Sequence, residues 1–334
     1  MQINEKFGFE LSDGYQKINK ENEIKNIAKY ILSEKLNLDF SCVKRFTTGY
    51  CHSVFYVKTS DDKKYVMRLT SSENKEYYQG SLCWLKELEK LNILVPKILY
   101  HGEFDNLFYT LISFIDGKDL GEVYESLTGE HKRDIAKEIA NIQCKVSNLP
   151  QADNYGSSFT KNDAKYKSWQ EFLKSIIERA RDRIAKNKIF DVSIYDELIS
   201  YINIFEDYFK TVAPTAFLDD ITTKNVLINN GKLSGIIDVD EICYGDSLLT
   251  IGLTNMALIA DKLDTNYIDY WLNEIKATGE QKKVLIFYTM LFCVDFMGEQ
   301  GMIFENGKQI IVNEGKVKRL NSIYKFLKNK IRSE

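Results

Sequence analysis

Apolar residues recur at two different spacings along the chain, and the balance between them changes near residue 116. Residues 20–36 carry Ile24, Ile27, Ala28, Ile31 and Leu32 at helical spacing, which predicts an amphipathic helix. Strand-like runs follow at Cys42–Thr47, at Ser53–Thr59 with its β-branched and aromatic residues, and at Tyr65–Leu69 after the polar turn Ser60–Lys63. Glu73–Leu91 reads as a helix with Leu82, Trp84, Leu85 and Leu88 as its apolar members. Val95–Leu99 starts another strand, and the nearly continuous apolar run Phe108–Ile115 predicts a buried one. Asp116-Gly117-Lys118-Asp119 breaks that run.

Beyond the break helical spacing prevails. It marks Glu130–Ser147 (Ile135, Ala136, Ile139, Ala140, Ile142, Val146), Trp169–Lys186, Ser193–Val212, Thr250–Ala260, Asn266–Ala277, Glu280–Glu299 and Lys316–Arg332. Tyr155–Ser158 reads as a loop. One stretch departs from the helical pattern. Within Phe217–Asp246, two apolar runs, Val226–Ile228 and Leu233–Ile237, flank Asn229-Asn230-Gly231-Lys232, which is a hairpin signal. The pattern predicts an α+β protein with a small β-sheet lobe over 1–115, a hinge at about 113–118 and a mostly helical lobe over 116–334.

Composition narrows the field. With 334 residues, 44% apolar and 28% charged, the chain reads as an ordinary globular protein large enough for two lobes. A net charge of −3 offers no overall basic field for nucleic acid or an anionic membrane. No apolar run approaches the roughly 18 residues of a membrane span, and the start MQINEKFGFE does not read as a secretory leader. Six cysteines are scattered without a C-x-x-C pair, which predicts reduced thiols and a cytoplasmic protein. Three widely spaced histidines argue against zinc hydrolase and Ser-His-Asp chemistry. Monomer and homodimer both stay open.

The hairpin stretch carries the chemistry. Asp220 and Asn225 stand in the order D-x-x-x-x-N just before the first strand, and Asp238 follows the second. Phosphoryl transfer needs an acid to orient a hydroxyl, and an Asn and an Asp to hold Mg²⁺ on nucleotide phosphates. Taken singly each residue is an ordinary turn or cap residue; it is the joint spacing that points to the reaction. Upstream, the loop Thr47–His52 with Gly49 joins two strands, as a phosphate-covering loop would, although on this stretch alone a single glycine reads more readily as a plain hairpin turn.

The segment LDDITTKNVLINNGKLSGIIDVDEICYGD resembles the catalytic and metal-binding region of the aminoglycoside phosphotransferase family, nearest in pattern to its hygromycin B kinase type. KKYVMRLTSS resembles that family's strand with an ATP-contacting basic residue, and LVPKILYHGEFDNLFYTLISFIDGKDL its V-P-[KR]-[IV]-L strand, hinge and D-G turn. NYGSSF followed by Trp169–Phe172 resembles the region after the hinge, so the resemblance spans 40–260 with gaps. It implies a protein-kinase-like two-lobed fold and Mg²⁺-dependent transfer of the γ-phosphate of ATP or GTP to a small-molecule hydroxyl. An aminoglycoside antibiotic is the leading acceptor, hence antibiotic resistance. A sugar, choline-like or amino alcohol comes next, and a protein that binds nucleotide without turnover is the rival from another class.

Carried over residue by residue, the resemblance implies Asp220 as catalytic base and Asn225 with Asp238 as metal ligands. Arg68 would be the phosphate clamp, with Glu73 or Glu76 as its partner, and Ser113, Phe114 and Ile115 the adenine-facing hinge. Asp246 would hold the loop's backbone. The pattern departs from H-x-D at Leu218 and Asp219. Asp219, Asp240 and Glu241 make the segment acidic, and Asp295 and Glu299, spaced i, i+4, share a helix face that could receive acceptor ammonium groups. Asp261 and Asp264 offer the same near a helix end. Tyr270, Trp271, Tyr288 and Phe292 read as core.

Overall fold

The computed structural model describes residues 13–46, 52–302 and 310–333. The chain divides into two compact units, Met1–Tyr78 with Ile98–Phe114, and Gln79–Lys97 with Ile115–Glu334.

The first unit is built on α1 (Asp13–Tyr30), prolonged by a π-helical turn over Ile31–Lys35, and five strands: β1 (Phe40–Arg45), β2 (Ser53–Thr59), β3 (Lys64–Ser71), β4 (Ile98–Phe104) and β5 (Leu107–Ser113). All pair antiparallel in the order β1-β2-β3-β5-β4. Strand alternation puts Phe55 and Val57, then Met67 and Leu69, on one face, where Ala28, Ile31 and Leu32 of the helix close a core with Val43 and Leu111. Each such side chain, fully buried, contributes about 1.5–3 kcal/mol. Asp105 and Asn106 take φ of 48° and 59° between β4 and β5, the mirror-image turn whose twist suits a tight hairpin.

The second unit holds the end of α2 (Lys75–Lys90), then β6 (Lys118–Asp119), α3 (Leu120–Val123), α4 (Gly129–Val146), β7 (Gly156–Ser158), α5 (Trp169–Asn187), α6 (Ile194–Ile204) and α7 (Glu206–Thr211). There follow β8 (Ala216–Phe217), β9 (Val226–Asn229), β10 (Lys232–Ile236), β11 (Ile242–Tyr244), α8 (Leu248–Ala260), α9 (Asn266–Glu274), α10 (Gly279–Gly298) and α11 (Glu314–Ser333). Helix α10 is its centre. Burial is unbroken from Val284 to Asp295, as a helix apolar on every side requires, and α5, α8 and α11 pack around it. Its start is set by a capping box in which Thr278 and Gln281 satisfy each other's backbone N–H groups.

Two small sheets frame the loop after β8. One runs β10-β9-β6, the other β7-β11-β8. The β9–β10 turn has Asn230 and Gly231 at φ 50° and 75°, so the Asn-Gly signal folds as the mirror-image turn it suits.

The structure departs from the sequence pattern in several places. Tyr155–Ser158, expected as a loop, contains β7, which pairs with the equally short β11; three-residue strands are too short to show a period. The helix expected over Ser193–Val212 is two helices, broken at Phe205. The single cut expected at 115–116 gives way to a divided one, because Gln79–Lys97 packs with the second unit. There Trp84 Nε1 donates to Ser158 O at 2.8 Å, Ile236 N donates to Leu94 O at 2.8 Å, and a Cβ on Gly80 would overlap Asp240 O.

Gly245, at φ 148°, faces the Trp169 ring, which an added Cβ would overlap. Gly245→Ala should therefore lower stability by about 3 kcal/mol, from overpacking and backbone strain together. Urea unfolding followed by tryptophan fluorescence measures this.

Candidate active site

Strand β8 delivers the chain into a loop, Leu218–Asn225, that hydrogen bonds hold at several points. Asn225 Nδ2 donates to Asp220 O at 2.8 Å, and Asn225 N to Thr222 O at 3.2 Å. Gly121 N, at the start of α3, donates to Thr223 O at 2.9 Å. At the loop's entry the Gln143 side chain of α4 bonds both backbone polar groups of Leu218, donating to its O at 2.7 Å and accepting from its N at 2.9 Å. From the hairpin side, Ile237 N donates to Asn225 O at 2.9 Å. The D-x-x-x-x-N segment and the end of β10 are thereby tied together one residue before Asp238.

Asp238 itself adopts φ 61°. Aspartate tolerates this left-handed conformation better than most residues, and such backbone clusters at functional sites. Asp238 and Asp220 both present their side chains at the surface of this unit. Asp220 accepts from Thr222 Oγ1 at 3.3 Å. Crowding by protein atoms, then the negative charge of Asp238, push its pKa up to about 6, against the pull of Thr222, Asn225 and the Lys224 ammonium. It is still mostly ionised at neutral pH. Asp219 is pushed well above the usual carboxylate range by burial, Glu241 and Asp220, in that order.

Asp246 sits in a buried knot. Its Oδ2 accepts from Tyr208 Oη at 2.9 Å and Tyr288 Oη at 2.8 Å, and its Oδ1 accepts from Leu248 N at 3.0 Å, at the start of α8. Trp169 Nε1 donates to Tyr288 Oη at 2.7 Å. Burial raises the pKa of Asp246 while these donors oppose the rise.

The other residues singled out in the sequence lie in both units. Arg68 is buried in β3, opposite Val54 and Thr110. Glu73 and Glu76 are exposed, in a 3₁₀ turn and in the first turn of α2. Ser113 ends β5; the Phe114 ring meets Tyr56 edge-on, with Lys64 Nζ over it; Ile115 lies against Gly235 in the second unit. Gly49 lies outside the described residues. Asp295 is buried, and Arg179 and Arg183 bond it at 3.3 and 3.1 Å, so its charge is answered within the fold. Asp264 likewise pairs with Lys132 at 2.7 Å, whose ammonium lies 3.8 Å from the Tyr124 ring centre. Glu299 is half-buried and raised by burial and by Asp295. Tyr288, Trp271 and Phe292 are core.

Three residues of the site went unmarked in the sequence. Lys224 stands inside the D-x-x-x-x-N segment, and its charge lowers Asp220, Asp119 and Glu299. Asp119, raised to about 6 by burial and then Glu122, pairs in register with Leu227. Gln143 was signalled only by being a polar residue on the apolar side of α4.

Among the described residues no three His, Cys, Asp or Glu side chains gather as a self-sufficient metal cage. A cation of another kind would meet oxygen donors here. Asn225 gives its amide nitrogen to Asp220 O, so its side-chain oxygen is the atom that would face a metal ion, and Asp238 would add a carboxylate. Hard oxygen donors from one or two side chains, completed by phosphates and water, fit Mg²⁺.

The chain superposes on a thermostable mutant of the aminoglycoside phosphotransferase APH(4)-Ia in ternary complex with ADP and hygromycin B, with a TM-score of 0.63 and 15% identity over 90% of this chain and 98% of that one. It also superposes on a putative fructosamine-3-kinase from Haemophilus somnus 129PT (TM-score 0.61, 14% identity, 89% and 96% of the two chains). A third match is the GDP complex of an aminoglycoside 2'-phosphotransferase-IIIa mutant (TM-score 0.60, 14% identity, 92% and 96%). At these identities the likeness shows the fold, a kinase-like aminoglycoside phosphotransferase fold. An uncharacterized protein in the ileS 3' region of Staphylococcus aureus is 34% identical over 101 residues, 30% of this chain and 71% of that protein. The sequence profile of the phosphotransferase enzyme family matches residues 43–274, and the chain belongs to that family.

Proposed function

We propose that the protein is a Mg²⁺-dependent kinase that moves the γ-phosphoryl group of ATP or GTP to a hydroxyl of a small molecule. The observation that carries this reading is the tethering of Asp220, Asn225 and the approach to Asp238 into one loop-and-hairpin unit. Asp220 accepts the acceptor's hydroxyl hydrogen; the oxygen bonds to the γ-phosphorus, the proton passes to the Asp220 carboxylate, and the nucleoside diphosphate leaves. Mg²⁺, held by Asn225 and Asp238, would offset phosphate charge beside these acids. Arg68 and the segment Ser113–Ile115 are our candidates for phosphate and adenine contacts, with Glu73 or Glu76 as partner to the arginine.

For the acceptor we favour an aminoglycoside-type polycation. Asp219, Asp240, Glu241 and Glu299 are the acids assigned to it. Asp295 is not among them, since two guanidiniums already hold it. The names of the similar structures support this class, and the fructosamine kinase among them keeps a metabolic amino sugar as the second reading.

Two outcomes are expected. In a mass-spectrometric transfer screen over aminoglycosides, amino sugars and small alcohols, Asp220→Asn should lower turnover roughly 10²–10⁴-fold. A variant that turns over like the parent would remove Asp220 as base, and nucleotide binding indifferent to Mg²⁺ with no phosphorylated product would point to a binding protein. In the metal-free protein, carbon-detected NMR should find the Asp220 carboxyl titrating at about 6. Asp238→Asn should lower that value by removing a like charge, and Lys224→Ala should raise it.

A further inference from the structure

Helix α4 turns an apolar stripe toward the core of its unit, with Ile135, Ala136, Ile139, Ile142 and Val146 buried. Gln143 lies on the same stripe, four residues after Ile139, and is only 7% exposed. A carboxamide buried among aliphatic side chains must find partners for both its ends. It finds them on a single residue: Nε2 donates to Leu218 O at 2.7 Å and Oε1 accepts from Leu218 N at 2.9 Å.

That residue is placed to matter. Leu218 directly follows β8, which is an edge strand in the order β7-β11-β8, and it precedes Asp220 by two positions. The side-chain amide therefore acts as one rung of a β-ladder on an edge where, among the described residues, no strand runs. Its donor–acceptor pair matches a peptide group as no hydroxyl, ammonium or carboxylate can. The Leu218 side chain is itself apolar and buried, so it cannot tether the loop by a polar contact.

We infer that Gln143 is a positioning residue of the phosphoryl-transfer site. It clamps the peptide groups of Leu218 and, through the short loop whose far end Asn225 closes onto Asp220 O, sets where the Asp220 carboxylate and the Asn225 oxygen stand. In a sequence whose H-x-D motif begins with Leu218, the polar tether comes from a helix distant in the chain. This inference rests on the reading of Asp220 and Asn225 given under Proposed function.

The test uses the full-length protein and a near-isosteric apolar variant, Gln143→Met, with Gln143→Glu beside it. Glutamate keeps an acceptor for Leu218 N but loses the donor to Leu218 O. Hydrogen exchange is followed in peptides covering 216–226, along with the Mn²⁺ concentration needed for half-maximal ADP binding and the steady-state hydrolysis of Mg·ATP. Gln143→Met should stay folded, exchange at least about 10-fold faster in 216–226 with α5 and α10 unchanged, and need more Mn²⁺. Its hydrolysis kcat should fall by up to about 10²-fold with the KM for ATP little changed, as displacement of a catalytic group does. Gln143→Glu should show the same pattern to a smaller degree. A folded variant with parental exchange in 216–226 and a parental Mn²⁺ requirement would overturn the inference. If Gln143→Met does not fold, Gln143→Glu is judged by the same two measurements. Asp220→Asn is run in parallel. If it turns over normally while the Gln143 variants loosen the loop, the function proposed for Asp220 fails and the clamp stands.

Discussion

Carboxylates crowd the loop that follows β8, and the fold must hold them there. Two unit charges 4 Å apart repel by about 4 kcal/mol at an effective dielectric of 20. A typical backbone hydrogen bond returns only about 0.5–1.5 kcal/mol. Asp219, Asp220, Asp238 and Glu241 would drive an untethered loop apart. The structure multiplies the tethers, with Gln143 at the entry, Asn225 across the turn, and Gly121 and Ile237 on the flanks. Burial and the neighbouring carboxylates also raise the proton affinity of Asp219 and Asp220.

The same loop depends on the helical core through Asp246. That carboxylate joins Tyr208 of α7, Tyr288 of α10 and the first turn of α8, and Trp169 of α5 adds its indole to Tyr288. Asp246 comes just after β11, which pairs with β8. The buried helices and the edge strand that launches Asp220 are thus linked through one side chain. Gly245 lets the chain pass beneath Trp169 on the way. This division of labour, rigid helices behind and a short tethered loop in front, suits chemistry that needs fixed charges more than covalent participation by the protein.

The acidic residues outside the loop show how little a charge means without its neighbours. Asp295 and Glu299 share a helix face by spacing alone, and both read equally as an open acidic patch. In the folded chain Asp295 faces Arg179 and Arg183, contributed by a helix more than a hundred positions earlier. Glu299 lies close enough to Lys224 for the lysine's charge to act on it. One acid is held by two arginines and the other lies within reach of the Lys224 charge, although they stand one helical turn apart.

Local pattern was enough to read most of the long helices, the five strands of the first sheet and the Asn-Gly hairpin, because each rests on a period or on a turn residue with a backbone preference of its own. It was enough as well for Asp220, Asn225 and Asp238 to stand out together, since the hairpin between them is a local structure. Strands β7 and β11 were not legible, being too short for a period and paired across a long stretch of chain. Neither was the assignment of Gln79–Lys97 to the second unit, which turns on the packing of Gly80 and Trp84. Gln143 was written on the apolar face of a helix, but a buried amide announces only that it needs a partner. That the partner is the peptide of Leu218 was decided by tertiary structure, because a hydrogen bond between distant segments exists only once the core has brought the side chain within 3 Å of the backbone it meets.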